Sequence, residues 1–219
     1  DPLWSRGLGD VYKRQLKDPA YFNGWMKDYS KSTDVSANGT TVSASLFVPE
    51  DASGLKTFIH MRDRVTGKDV PFGEDSVVLT EKLAKLLGVG PGGEISLKNA
   101  DGRELSFRVT GVTEHYVYHY VYISPSLYRQ KAGEKAVSNE VLSVCTVQDA
   151  KERSALTAKL MKQDGVGTFT YLRDTTEKYD SMIQSMNLVV LILIISAGML
   201  AFIVLYLSLI HISEPTRPE

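Results

Sequence analysis

Hydrophobic and polar positions alternate with one period, then another, before giving way to an unbroken apolar run. Thr40–Pro49 (TTVSASLFVP) sets Val42, Ala44, Leu46 and Val48 against threonine and serine, the two-residue period of a half-buried strand. KTFIHMR extends as another strand, and RVTGKDVPF has hairpin turn chemistry around Thr66–Gly67. Ser76–Leu79 reads as a short buried strand. Thr80 is placed to cap a helix with Leu83, Ala84, Leu86 and Leu87 on one face, and Gly88 to end it. Ile95 and Leu97 then face Leu105, Phe107 and Val109 across a turn at 99–102, the pattern of a hairpin. Tyr116–Ile123 is an aromatic strand, and Ser124–Pro125 opens a short helix with serine as cap and proline at its first position. Asn139–Val147 is a further strand, Asp149–Gln163 has helical spacing at Ala150, Leu156, Leu160 and Met161, and Gly165–Leu172 returns as a strand. Upstream, Asp18–Tyr29 (DPAYFNGWMKDY) reads as the end of an amphipathic helix.

The last pattern is different in kind. Met182–Ser213 contains no Asp, Glu, Lys or Arg, and Leu188–Tyr206 (LVVLILIISAGMLAFIVLY) is apolar all round. At 1.5 Å per residue that core spans roughly 28 Å, close to the hydrocarbon thickness of a bilayer, so a membrane span is expected from Leu188 to Tyr206. Its small residues Ser196, Ala197 and Gly198 are of the kind that let membrane helices approach closely. From Thr175 a helix bearing Tyr179, Met182 and Met186 runs into it without Gly or Pro, which predicts one continuous stalk and span over 175–206. Upstream, strands and helices alternate irregularly without an internal repeat. The expected class is an α+β domain followed by one transmembrane helix.

Composition narrows the choice of partners. The 219 residues carry a formal net charge of −1, which gives no support to nucleic acid or to an anionic membrane surface as partner, and no nucleic acid is expected. The single cysteine, Cys145, lies in the alternating stretch EVLSVCTV as a small strand residue with no disulfide partner.

The two ends are expected to share an origin. LSLIHISEPTR (Leu207–Arg217) and SRGLGDVYKRQ (Ser5–Gln15) can be encoded by opposite strands of one DNA element, which resembles a transposase-type sequencing adapter. Residues 1–15 and 207–219 are therefore expected to be adapter-derived, leaving an α+β domain at 16–174 and a stalk and span at 175–206.

Motifs that would carry chemistry are weak. Gly88-Val-Gly90-Pro-Gly-Gly93 matches G-x-G-x-x-G in form, but it follows a helix and precedes a strand, the reverse of a dinucleotide site. No stretch fits a phosphate-binding loop, so any ATP hydrolysis belongs to another polypeptide. His115 and His119 on a strand would lie roughly 13 Å apart, too far to share one metal. The same strand geometry would place Tyr116, Tyr118, Tyr120 and Tyr122 in a row on the other face, as packing or as a surface for a partner. Arg62, Asp63 and Arg64 with Lys68 and Asp69 read as solvated ion pairs at a hairpin, and Asn38-Gly39-Thr40 is a glycosylation sequon by pattern. No nucleophile–base set is present. No enzyme activity, cofactor or metal is expected.

VVLTEKLAKLLGVGPGGEISLKNADGRELSFRVTGVTEHYVYHYVYISPSLY, with SMNLVVLILIISAGMLAFIVLY, resembles the FtsX-like ABC transporter permeases, whose extracytoplasmic domain is related to the MacB periplasmic core domain. The strand VVLTE falls on Val77–Glu81, the Ala- and Leu-containing helix on Leu83–Leu87 and the glycine-rich turn on Gly88–Gly93. "V.GV" falls on Val109–Val112 and the final strand on Val121–Ser124. The resemblance covers about Phe58–Tyr206. It implies a small β-barrel-like insertion within the α+β domain, an outward placement of that domain at a bacterial plasma membrane, and a separate cytoplasmic ABC ATPase as partner. It also implies a dimer or pseudo-dimer in the full-length protein, with membrane lipid or a cell-envelope protein as further partners. Such a complex transports a substrate or transmits force across the membrane. A reading from another class stays open: an extracellular sensor domain of a membrane-bound signalling receptor.

Overall fold

The computed structural model describes residues 21–98, 102–162 and 168–213. The chain divides into two compact units, the first through Arg153 and the second from Ser154. In the first unit, strands β1 (Phe22–Ala37) and β2 (Thr40–Pro49) precede a 3-10 turn at Leu55–Thr57 and strand β3 (Val77–Thr80). Helix α1 (Glu81–Leu87), β4 (Glu94–Lys98), β5 (Glu104–Arg108), β6 (Gly111–Thr113) and β7 (Tyr120–Ile123) follow. Helix α2 (Pro125–Ala132), β8 (Glu140–Cys145) and α3 (Ala150–Leu160) come next, and α4 (Leu172–Ser213) belongs to the second unit.

The eight described strands of the first unit join one mixed sheet in the order β5-β4-β1-β2-β7-β3-β6, with β8 also on β1, and the sheet curls as a half-barrel. β1 is its spine. One edge pairs with β2 from Asp28↔Pro49 to Ala37↔Thr40; the other edge takes β8 along Phe22–Asp28 and β4 at Val35–Ser36. Between those two partners Asn139 fills in for a strand: its Oδ1 accepts the Ser30 N–H and its Nδ2 donates to the Ser30 carbonyl, each at 2.8 Å. The β1–β2 turn is Asn38-Gly39, both with positive φ (50° and 76°), which is the backbone a tight hairpin turn requires.

Each face of the sheet carries its own core. On one, Val35, Leu46, Val48, Val121 and Ile123 pack with Leu83 and Leu87 of α1, Tyr128 of α2, and Ile95 and Phe107 of the β4–β5 hairpin. On the other, Met26, Phe47, Val78 and Tyr122 are covered by Leu55 and Met61 from the long β2–β3 connection. At roughly 1.5–3 kcal/mol for each fully buried large apolar side chain, both faces contribute to stability.

Several expected elements differ. Phe22–Tyr29 is the start of β1, not a helix, because long-range pairing with β2 and β8 overrides local spacing, and Gly24 sits at φ 93°. The segment 56–62 forms no strand beyond a single bridge, Arg62↔Asp69; its apolar residues cover the second core instead of pairing along an edge. Residues 168–171 form no strand. The expected turn at 99–101 and the first part of the 165–172 strand lie outside the described residues, as do 1–20 and 214–219. Thr80 and Ser124 occupy the two N-cap positions with extended backbone, but neither side chain caps its helix.

In the second unit α4 is continuous over 42 residues. It is the one helix among the described residues long and apolar enough to cross a membrane, over Met182–Leu209, and none of that stretch is buried. The chain is thus an α+β domain followed by one helix fit for a membrane span.

Candidate functional site

Two places can meet something other than water: the exposed apolar helix α4, and the tyrosine segment with the charged groups beside it. On α4, Leu188 and Tyr206 are both more than half exposed, and so are the large apolar residues between them except Ile195, at 49%. In hydrocarbon every polar group must be satisfied internally. Two of its hydroxyls meet that condition: Ser185 Oγ donates to the Met182 carbonyl at 2.7 Å and Ser196 Oγ to the Leu193 carbonyl at 2.9 Å. A side chain built at Gly198 would meet nothing within 4 Å, so that position leaves room for a close neighbour. Before the span, Tyr179, Met182, Ile183 and Met186 recur at one helical face and are all exposed.

The tyrosines do not form a row of four. Tyr120 and Tyr122 share a face of β7 and stack at 5.7 Å with 20° between planes. Tyr122 is buried against Phe47, with ring centroids 5.4 Å apart, and burial pushes its hydroxyl pKa up. Tyr118 takes a left-handed backbone, φ 62°, which breaks the strand before Tyr120. Tyr116 and Tyr118 therefore stand in the β6–β7 connection, 78% and 75% exposed, and only these two present a full aromatic surface. His115 lies edge-on to Tyr120 at 5.1 Å, and burial lowers its pKa. Among the described residues no group of three or more His, Cys, Asp and Glu converges as a metal set.

The charges near this connection are organised by two glutamates. Glu114 accepts from Arg62 Nε at 2.7 Å and from the Tyr116 hydroxyl. Glu81, first residue of α1, takes Arg64 in a two-point contact (2.7 and 2.9 Å) and Lys85 at 2.7 Å. These hydrogen bonds, Arg64 first, hold the Glu81 carboxyl down at about 2. The hairpin expected at Thr66–Gly67 is thereby tied to β6 and α1. The network anchors a loop, and nothing in it is a nucleophile or base aimed at a cleft. Nearby, Leu55, Ile59, Met61, Val70, Pro71 and Phe72 line most of an open groove of about 260 Å³.

Sequence reasoning missed Asp28. It sits mid-sheet on β1, 0% exposed, and neither carboxylate oxygen has a hydrogen-bond partner. Directly across the β1–β8 ladder stands Glu140. Burial first, and Glu140 second, raise the Asp28 carboxyl to about 7. The available signal was the alternation Met26-Lys27-Asp28, which places Asp28 on the buried Met26 face once the segment is a strand.

No family model and no curated protein matches the chain. Among solved structures, it is similar to the periplasmic region of MacB from Actinobacillus actinomycetemcomitans, with 17% identity, 77% of this chain and 80% of that chain covered, and a TM-score of 0.43. It is also similar to the extracellular domain of the ABC-type transporter YknZ from Gram-positive bacteria, with 15% identity, 71% and 86% covered, and a TM-score of 0.44.

Proposed function

We propose that the chain belongs to the membrane-spanning permease subunit of an ABC-type transporter or mechanotransmission complex. The observation that carries this reading is the pairing, in one chain, of two features. The strand–helix–hairpin–strand order over Val77–Ser124 falls where the permease-like motifs lie, and a later helix carries a stretch, Met182–Leu209, with no charged residue and none buried. In this reading the domain lies outside a bacterial plasma membrane and α4 spans lipid. A separate cytoplasmic ABC ATPase supplies the energy, and the working assembly is a dimer or pseudo-dimer. ATPase closure moves the membrane helices, and the helix, unbroken from Thr175 to Tyr206, transmits that motion as a rod. The chain's own role is mechanical and not catalytic. Tyr116, which shares Glu114 with Arg62, and the exposed Tyr118 are the surface offered to a cell-envelope protein.

Orientation is tested with a single exposed thiol, Val137→Cys in a Cys145→Ser background, since Val137 is 74% exposed. A membrane-impermeant maleimide is expected to label it in intact spheroplasts; labelling only after lysis would overturn the outward placement. Sequencing the native gene past Tyr206 tests the assembly. A Lys/Arg-rich segment and further spans, with an ATPase gene alongside, are expected. A signalling helix and kinase would make the chain a receptor instead.

A further inference from the structure

We propose that Asp28, facing Glu140, is a proton-operated latch on the β1–β8 ladder: with Asp28 protonated, β8 is held on the sheet; with Asp28 deprotonated, two carboxylates face each other across the ladder and loosen it. The inference is independent of the transport reading. It rests first on placement. Asp28↔Glu140 is an end register of the ladder, and β1 is the strand on which β8 pairs. It rests second on satisfaction. Asp28 is fully buried and both its oxygens lack a donor, whereas buried carboxylates in folded proteins are ordinarily hydrogen-bonded or paired.

Among the described residues the surroundings offer no compensating cation. Opposite Asp28 on β2 is Pro49, followed by Glu50, which adds negative charge. Tyr120 and Tyr122 lie on the same face of the sheet, two strands away, and are not ionised at neutral pH; burial raises both hydroxyl pKa values. Lys27 adjoins in sequence but points to the opposite face by strand alternation. Arg153, the other buried charge among the described residues, gives its Nη1 to the Gln148 carbonyl at 2.6 Å. Asn139, next to Glu140, is committed to Ser30. A proton is therefore the ligand that this site takes.

The sign follows from linkage. The closed ladder raises the Asp28 carboxyl to about 7, against an ordinary 3.8. Below 3.8 both closed and open states are protonated and pH has no effect. Between 3.8 and 7 the open state loses the proton first, so opening rises by up to about tenfold per pH unit; above 7 it levels off.

The test is amide hydrogen exchange of the peptide covering 140–145, measured by mass spectrometry on the full chain in detergent micelles at pH 5 and pH 7 and corrected for intrinsic rates. Opening in the wild type is expected to increase more than about tenfold between the two. Asp28→Asn should remove that dependence. Glu140→Gln, at an exposed position, should keep it and move its midpoint to lower pH. Equal pH dependence in wild type and Asp28→Asn would overturn the latch. Should Asp28→Asn fail to fold, Glu140→Gln decides alone: an unmoved midpoint overturns it.

Discussion

The side-chain amide of Asn38 donates to the carbonyl oxygen of Gly88 at 3.0 Å and to that of Leu87 at 3.1 Å, so the tip of the β1–β2 hairpin closes the C-terminus of α1. Helix ends leave carbonyls without partners, and here a residue fifty positions away supplies the donor. Asn38 has a second task, since its φ of 50° builds the turn. The two tasks separate by substitution. Asn38→Gly keeps the turn and loses the bonds, and should cost about 1 kcal/mol; Asn38→Ala loses both and should cost about 2 kcal/mol. Chemical unfolding followed by Trp25 fluorescence measures the difference. A glycan on the Asn38 sequon would leave Nδ2 one N–H for its two carbonyl partners and place a sugar against the end of α1, so the folded domain should not accept one.

Thr80 and Tyr120 give the second prediction. Thr80 stands at the N-cap of α1 but its Oγ1 accepts the Tyr120 N–H at 3.2 Å, binding the end of β3 to the start of β7. Thr80→Val keeps the shape and leaves that N–H unpaired. A loss of about 1–2 kcal/mol is expected, with little change in helix content by circular dichroism, since the helix never used this cap.

These two contacts also show what local sequence can and cannot reveal. The β4–β5 hairpin and α1 were readable because their signals are contiguous: alternation at Ile95 and Leu97, and a left-handed Gly88 at the helix end. β1 was not, because FNGWMKDY has no strand period until β2 and β8 pair along it. The same cause hid Asp28, an ordinary surface residue in a helix and a buried one in a strand facing Glu140. The tyrosine row failed at one residue, Tyr118, whose left-handed backbone no local pattern announces. The apolar helix was readable because composition alone decides it.

Gly111 on β6 is a packing prediction. A Cβ there would lie 2.6 Å from Val70 Cγ1 and 3.6 Å from Val78 Cγ2, so the β2–β3 connection rests directly on a glycine. Gly111→Ala should cost about 1–3 kcal/mol by overpacking, and Gly111→Ala with Val70→Ala should recover most of it. A double-mutant unfolding series reads the coupling.

Glu81 allows a titration test. Its pKa of about 2 stems first from Arg64 and then from Lys85. The interaction is present above the ordinary 4.5 and is lost as pH falls through 2. In a carboxyl-carbon NMR titration, Arg64→Ala should move the Glu81 midpoint upward further than Lys85→Ala does, because Arg64 makes the two-point contact.

The helix α4 gives the last prediction, and magnitudes decide its form. At about −0.3 to −0.6 kcal/mol each, the Leu, Ile, Val and Phe residues of Leu188–Tyr206 favour insertion by roughly 4–8 kcal/mol. One central lysine opposes this by only about 3 kcal/mol, so Leu193→Lys should stay in the membrane fraction after alkaline carbonate extraction. Leu193→Lys with Leu200→Lys opposes it by about 6 kcal/mol and should release a large part of the chain. Ser196→Ala should change nothing, because the Ser196 hydroxyl is already satisfied by the Leu193 carbonyl inside the helix. Were the double lysine variant retained as fully as the wild type, α4 would not be held by lipid, and some protein surface would have to cover its apolar length.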